Sequence, residues 1–567
     1  MTRFPLSALL ALALLLAACA PASPASAPAA QITTPDSPKR ITVAIIGDAH
    51  VLYLDIGAST GVPGDNALEE LVNVGLTELD HTGGSQAQLA EAVPSVDNGL
   101  WVLFPDGRMR TTWHIRAGVR WHDGTAYSSD DLVFSAAVFQ DPELPFRRRP
   151  AFGLIESVEA PDPRTLVVNW RSPFIEAHQL FSREGGLPMP RHLLQRATAE
   201  DKAAFGFLPY WSSEFVGTGA FRLREFDRGS RILLEANPDF VFGRPKLDEI
   251  EVRFLSDPNV LVTNLLAGEV DLFVGRGMNL ERAIVLEEQW RDGRVEVRFS
   301  GLIVVYAQFL GPSPPIVTNA QFRRALLHAI DRQQLADALL FGRASVAHVY
   351  LGPNEAEYPE VEASIVRHDY DQRRAAQIME TLGYGRGPDG AYRDGSGQRL
   401  VVEMRSEPLE TEQKALFSAV DMLQQQGLGI EPLVIPRQRT SDLEYRYTFP
   451  GLYLRGHASS VRTLQQYHGS QSPLPENRWS GNNRGRYVNP ELDAAIDRYF
   501  VSVPRPERTQ ALRQITQHIT DQAPVMPLFY NTEFTVIGNR LENMIATKAA
   551  SGAAKTWNSH QWDVNRA

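Results

Sequence analysis

One cysteine, Cys19, occurs in 567 residues, which excludes an intrachain disulfide framework and any zinc site built on paired thiolates. The 13 histidines fall at no His-x-His or His-x-x-x-His spacing, and no His-Glu-x-x-His is present, so a histidine-ligated metal hydrolase has no sequence support. A Gly-x-Ser-x-Gly elbow and a Gly-x-x-x-x-Gly-Lys-Ser/Thr phosphate loop are also absent, which removes the commonest serine hydrolase and nucleotide hydrolase signatures. No apolar run reaches the about 20 residues that a membrane-spanning helix needs. Basic residues are in deficit, 56 against 67 acidic, which argues against a nucleic-acid partner.

The chain opens with Arg3, an apolar run from Leu6 to Ala18, and Leu16-Ala17-Ala18-Cys19 at its end. This is the form of a secretory leader of lipoprotein type, residues 1–18. Cys19 resembles the cysteine that becomes the lipid-modified first residue of such proteins, and residues 19–39, rich in Pro, Ala and Ser, form the expected tether. Removing the leader takes away Arg3 alone among the charges and leaves a net charge of −12. The remaining chain exceeds a single hydrophobic core, so two or three lobes are expected.

Ile41–Ile46 reads as a buried strand, and 69–79 as an amphipathic stretch closed by Thr82-Gly83-Gly84. In Leu89–Phe139, Trp113 and Ile115 alternate with His114 and Arg116 as a half-buried strand requires, Asp123-Gly124 supplies a turn, and Ser128 to Asp131 forms a Ser-x-x-Asp capping box. His122 and Asp123 are read as turn chemistry and not as a catalytic pair. Gly217-Thr218-Gly219 is read as a tight strand entry. Asn319, Asp331 and Asn489 are expected helix caps, the last before Pro490 at the first helical position. Arg323, Arg324 and Arg332 are expected on solvated surfaces. Ala523–Tyr530 is an expected strand.

Several of these segments resemble one family. They are Trp113–Thr125, Gly217–Phe221, Asn237-Pro238-Asp239-Phe240, Leu265–Asp271, Phe322–Arg332, Tyr487–Asp493 and Ala523–Tyr530, in that order. By them the chain is identified as a member of the extracytoplasmic solute-binding proteins of ABC importers, family 5, the peptide and nickel type. The resemblance implies an α/β, periplasmic-binding-protein-like fold of two α/β lobes with a hinge-closing cleft and an inserted third lobe. Carried onto this chain, lobe I comprises 40–84, 210–300 and 532–567, the inserted lobe 85–209, and lobe II 301–531. It implies a non-enzymatic, monomeric protein without cofactor or metal. Such a protein captures a peptide or other small solute outside the cell and delivers it to permease subunits served by separate ATPase subunits. Lipid anchoring would hold it at the outer face of the membrane or in the periplasm. The alternatives are an oligosaccharide, anionic solute or metal chelate in the same fold, or, in a different class, a secreted hydrolase.

Ligand contacts are expected where segments cross between the lobes. Tyr306 and Gln308 fall on one strand at the period of two that gives a common side-chain direction. Phe449–Ser460 is expected as the second crossing segment, with Tyr453, Arg455, His457 and Ser459 as candidates, and Trp479 as a ring on which a solute could stack. The family's peptide binders carry a Trp and then an Asp there, the carboxylate holding the peptide's amino group. This chain has no acidic residue between Glu444 and Glu476. Arg455 instead favours a carboxylate, sulfate, phosphate or neutral polyol, unless a structural carboxylate pairs with it.

Overall fold

A computed structural model describes residues 38–56, 62, 64–147, 149–275, 277–440, 442–477, 479–548 and 555–565. Cys19 and the leader lie outside the described residues. Among the described residues no helix is long and apolar enough to cross a membrane.

Two long antiparallel strands, Gly293–Ala307 and Val525–Gly538, run through the middle of a ten-stranded sheet. On one side of the pair lie Leu452–His457, Val402–Ser406 and Ile430–Val434, and on the other Leu272–Phe273, Arg40–Ile46, Glu249–Leu255, Arg231–Ala236 and Phe221–Asp227. Residues 293–299 pair with 532–538, whereas 302–306 pair both with 525–530 and with Tyr453–His457. Register shifts at Phe299/Gly301 and Ile303/Val304 mark bulges where the pair bends. Gly301 is required at this bend, because a Cβ there would stand 2.6 Å from the His457 carbonyl oxygen.

Strand direction sets which ends of the two half-sheets meet at the bend. Arg40–Ile46 runs parallel to Leu272–Phe273, which is antiparallel to the 536–537 end of Val525–Gly538. Its carboxyl end therefore points at the bend. Leu452–His457 runs parallel to Val402–Ser406 and antiparallel to Leu302–Ala307, so its carboxyl end points at the same bend from the other side. Open α/β sheets bind ligands outside the carboxyl ends of their strands, at the point where the topology switches. Leu452–His457 itself stays within one half of the sheet. The expectation that Phe449–Ser460 forms the second crossing is corrected, since its strand has six residues while Val525–Gly538 has 14 and spans both halves.

A separate four-stranded sheet, in the order Trp101–Leu103, Met109–His114, Thr165–Trp170 and Ile155–Asp162, carries the alternation seen in the sequence, with Trp113 and Ile115 fully buried. Helix Ser129–Gln140 begins with the expected capping box, the Ser128 N–H donating to Asp131 at 2.9 Å. His122, half-buried, accepts from the Gly217 N–H through Nδ1 at 3.2 Å and donates through Nε2 to the Gly219 carbonyl at 3.0 Å. Burial lowers its pKa to about 4. Two motifs distant in sequence are thus one structural joint. Gly217 and Gly219 lie so close to the end of helix Asp65–Val72 that a Cβ on Gly217 would meet the Val72 carbonyl oxygen at 2.1 Å. The stretch 69–79 divides at this point into the helix end and the strand Thr77–Leu79.

Asn319, Asp331 and Asn489 each cap the expected helix. Arg323 and Arg332 are not on the surface: they are 2% and 3% exposed. Arg323 donates to the carbonyls of Val317, Gln522 and Ala523, and Arg332 to those of Ala347, Pro527 and His368. Three backbone carbonyls around each guanidinium make burial of these cations tolerable. Burial still lowers both pKa values to about 10.

Candidate functional site

Tyr306, Tyr453, Arg455 and His457 converge on the bend. Tyr306 is directly opposite Tyr453 in the strand pairing, and Arg455 and His457 follow at the period of two. Tyr453 is fully buried and its hydroxyl donates to Glu407, one residue beyond the strand Val402–Ser406. Arg446 also donates to Glu407, and Arg455 Nη1 stands 3.5 Å from it. Burial raises the Glu407 carboxyl, but the Tyr453 hydroxyl, Arg455 and Arg446 outweigh it and hold its pKa below the usual range. Glu412, on helix Glu410–Gln425, accepts from the Gly456 N–H at 2.7 Å, and burial raises its pKa. The carboxylates beside this strand thus come from outside its local sequence, Glu407 pairing with Tyr453, Arg446 and Arg455 and Glu412 with the Gly456 N–H.

His457 is neutral. Burial lowers its pKa to about 4, its Nδ1 donates to the Ala458 carbonyl, and its Nε2 accepts from the Tyr467 hydroxyl at 3.1 Å. The Tyr467 ring stacks on it at 5.5 Å. Ser459 is fully buried, and its hydroxyl has no protein partner.

Gln308 and Trp479 stand apart. The Gln308 amide donates to the carbonyls of Tyr447 and Phe449, and its oxygen accepts from the N–H groups of Phe309 and Leu310 and from Arg486 Nε. All its polar capacity is used by the protein, so it is a framework residue. Trp479 sits in a loop with a left-handed backbone, φ 60°, its N–H donating to Leu474. Among the described residues it shares no ring contact or hydrogen bond with the other candidates.

An opposing group of charges was not legible in the sequence. Glu70, at the end of helix Asp65–Val72, accepts from the Lys555 N–H at 2.7 Å and from the Thr556 N–H and hydroxyl, each at 2.9 Å. Arg183 Nε lies 3.2 Å from Glu70, and its Nη2 lies 2.6 Å from Glu184. Burial opposes the Arg183 charge, yet Glu184, Glu70 and Glu78 outweigh it and raise its pKa. Glu78 is buried beside them and its pKa is raised to about 8, first by burial and then by Glu70. Arg462, just beyond Ser459, reaches Glu176 at 3.4 Å and Glu184 at 3.5 Å. Lys555 Nζ and Arg298 both pair with Glu533 on the long strand Val525–Gly538.

Among the described residues, buried polar atoms without a hydrogen-bond partner include Asn73 Nδ2, Glu78 Oε2, Arg455 Nη1, Ser459 Oγ, Arg462 Nη1 and Ser472 Oγ. Such atoms are rare in folded proteins and each calls for a cause. Glu78, Arg455, Ser459 and Arg462 belong to the two groups just described, which Arg462 joins through Glu176 and Glu184. Among the described residues no cluster of His, Cys, Asp and Glu is arranged to hold a metal ion.

The profile of the bacterial extracellular solute-binding proteins, family 5, matches residues 91–467. The oligopeptide-binding protein AppA of Bacillus subtilis is 22% identical over 547 residues, covering 95% of this chain and 94% of its own. Its structure with a nonapeptide aligns with a TM-score of 0.70 at 20% identity, over 93% of this chain and 100% of that chain. NikA from Brucella suis, in complex with Fe(III)-EDTA, aligns with a TM-score of 0.76 at 16% identity, over 93% of this chain and 100% of that chain. Heme-binding protein A of Haemophilus influenzae is 24% identical over 468 residues, covering 78% of this chain and 80% of its own.

Proposed function

The chain belongs to the bacterial extracellular solute-binding proteins of family 5, and from that premise we propose that it is the membrane-tethered capture component of an ABC importer. The protein encloses a small solute in the crevice at the bend of the two long strands and hands it to a permease served by separate ATPase subunits. Cys19 carries the lipid that keeps it at the outer face of the membrane. Lobe I, comprising 40–84, 210–300 and 532–567, closes on lobe II, 301–531, with 85–209 inserted. Tyr306, Tyr453, Arg455, His457 and Ser459 line the lobe II side of the solute site.

One observation carries the proposal: Arg462, just beyond Ser459, reaches Glu176 and Glu184 and so joins the two groups of charges, in which buried polar atoms of Glu78, Arg455 and Ser459 have no hydrogen-bond partner, a need that a bound solute would meet. Relatives named for oligopeptides and heme, and a neighbour holding a metal chelate, leave the solute class to the residues of this chain. The test is a thermal-shift screen of the protein lacking residues 1–19 against peptides, oligosaccharides, organic anions and metal chelates. A solute that binds only the folded state raises the midpoint, by about 2.7 kcal/mol of stability at 100 times its Kd. A screen without any such shift would sink solute capture. Separately, Cys19→Ala should move the full-length protein from the membrane fraction to the soluble fraction, and continued retention would remove the lipid anchor from the proposal.

A further inference from the structure

The ten-stranded sheet has one continuous face and one divided face. On the continuous face, Ala44, Phe273 and Leu286 share a hydrophobic core with Ile303, Val305 and Val402 from the other half of the sheet. Alternate residues of the same strands turn the opposite way, as the period of two requires, and there the core is split. Val43, Leu272 and Ile537 join the core that holds Trp113 and Trp170, whereas Leu302, Val304 and Tyr306 join Leu492, Ile496 and Ile515. Among the described residues, two apolar side chains cross this split between 85–209 and 301–531. Ile175 packs on the core of Leu302. Val503, just beyond helix Pro490–Val501, packs on the core of Trp113.

Polar contacts fasten the same place. The Ile175 N–H donates to the Phe500 carbonyl at 3.2 Å, and Arg462 stands between Glu176 at 3.4 Å and Glu184 at 3.5 Å. The segment that presents Ile175, Glu176 and Glu184 is held firmly on its own side. Arg149 pairs with Asp55 at 2.6 Å and donates to the carbonyls of Arg183 at 3.1 Å and Glu184 at 2.9 Å. The Leu76 N–H donates to the carbonyl of Phe181 at 2.8 Å, and Phe181 is fully buried with a left-handed backbone, φ 57°. A phenylalanine stays in that conformation only where its surroundings over-determine it. The segment is therefore a rigid bracket. Its longer approaches to Arg462 are the contacts that part most easily.

We infer that Ile175, Glu176 and Glu184 form a clasp with Arg462, Phe500 and Val503, which fastens the inserted lobe to lobe II across the divided face of the sheet and sets how far the crevice opens. The inference rests on the capture proposal and its lobe division, and it gives the inserted lobe a task of its own. A sheet that keeps one core on its continuous face opens only on the divided face, so the clasp works against hinge opening at the bend. Breaking it shifts the solute-free population toward the open form.

The test reads that population directly. Removing residues 1–19 leaves no cysteine, so Val96→Cys and Val488→Cys, at positions 52% and 62% exposed, carry spin labels on the inserted lobe and on lobe II. Pulsed dipolar spectroscopy without solute should give one narrow distance distribution. In the same background I175S/R462M should add a longer component, a change of roughly tenfold or more in the ratio of open to closed molecules. R343M/K414M removes the ion pairs from Arg343 to Glu287 at 2.5 Å and from Lys414 to Glu281 at 3.0 Å, both on the helix Leu280–Gln289 that packs into the continuous core. It should leave the distribution as it was. An unmoved distribution in I175S/R462M, or equal lengthening in R343M/K414M, overturns the clasp. Far-UV circular dichroism checks folding, and R462M alone carries the test, with a smaller shift of the same sign, if the double variant fails to fold. Since no solute is present, an empty thermal-shift screen would sink capture and leave the clasp standing, while an unmoved distance would sink the clasp and leave capture standing.

Discussion

The two walls of the crevice solve the problem of buried charge differently. On the wall built from Leu452–His457, Glu407 serves Tyr453, Arg446 and Arg455 together, so two cations share one ionised carboxylate. On the opposing wall, Glu70, Glu78, Glu176 and Glu184 crowd around Arg183 and Arg462, and the surplus is acidic. Glu78 responds by holding its proton to about pH 8, because burial penalises the ionised form more than the nearby arginine rewards it. Arginine cannot respond that way, so the excess on the first wall stays charged. The difference teaches that crowded buried carboxylates can neutralise themselves by holding a proton, whereas crowded guanidiniums must share an ionised carboxylate.

Removing Arg183 breaks the self-neutralising wall most severely. Arg183→Met should lower the urea-unfolding free energy by about 3–5 kcal/mol, the cost of leaving buried carboxylates without their cation, and adding Glu78→Gln should restore part of it. On the opposite wall Tyr453→Phe removes one hydrogen bond to an ionised carboxylate and should cost about 1.5–3 kcal/mol in the same measurement. A loss as large as that of Arg183→Met would erase the contrast between the walls.

Titration separates the walls by the sign of their pH dependence. The folded pKa of Glu78 is raised, so its contribution is fully present below the unfolded value and is lost as pH rises through about 8. Glu78→Gln should flatten the stability profile between about pH 5 and pH 8. The folded pKa of His457 is depressed to about 4, so its contribution is present above the unfolded value of about 6.5 and falls away as the solution is acidified toward pH 4. His457→Gln should flatten that acid limb and leave the alkaline one. Exchange of the two effects between the variants would refute the assignment. The smallest effect expected is that of Arg462→Met, about 1 kcal/mol for a half-buried pair. Its informative readout is small-angle scattering, where the radius of gyration without solute should increase if the contact to Glu176 and Glu184 holds the crevice closed.

Much of the fold was legible because its signals are local. The alternation around Trp113, the capping box at Ser128 and the caps at Asn319, Asp331 and Asn489 each depend on residues within four positions of one another. Arg323 and Arg332 were misplaced because their partners are backbone carbonyls, which every residue offers and no side-chain pattern marks. Arg455 was legible as a residue that needs a partner, while Glu407, 48 positions earlier, carried no local sign of being that partner beyond its place at the end of a buried strand. Gln308 and Trp479 stand apart from the other candidates for a related reason: whether an amide or a ring is free depends on what folds against it.

The sequence by itself determined the helix caps at Ser128, Asn319, Asp331 and Asn489, the alternation around Trp113 and the order of motifs that marks the family, since each is written in neighbouring residues. Only the tertiary structure decided which charges are answered. Arg183 meets Glu70, and Glu70 meets Lys555 and Thr556, across separations that no spacing rule spans. Electrostatic balance in a buried crevice depends on distance and desolvation, and both are properties of the folded chain.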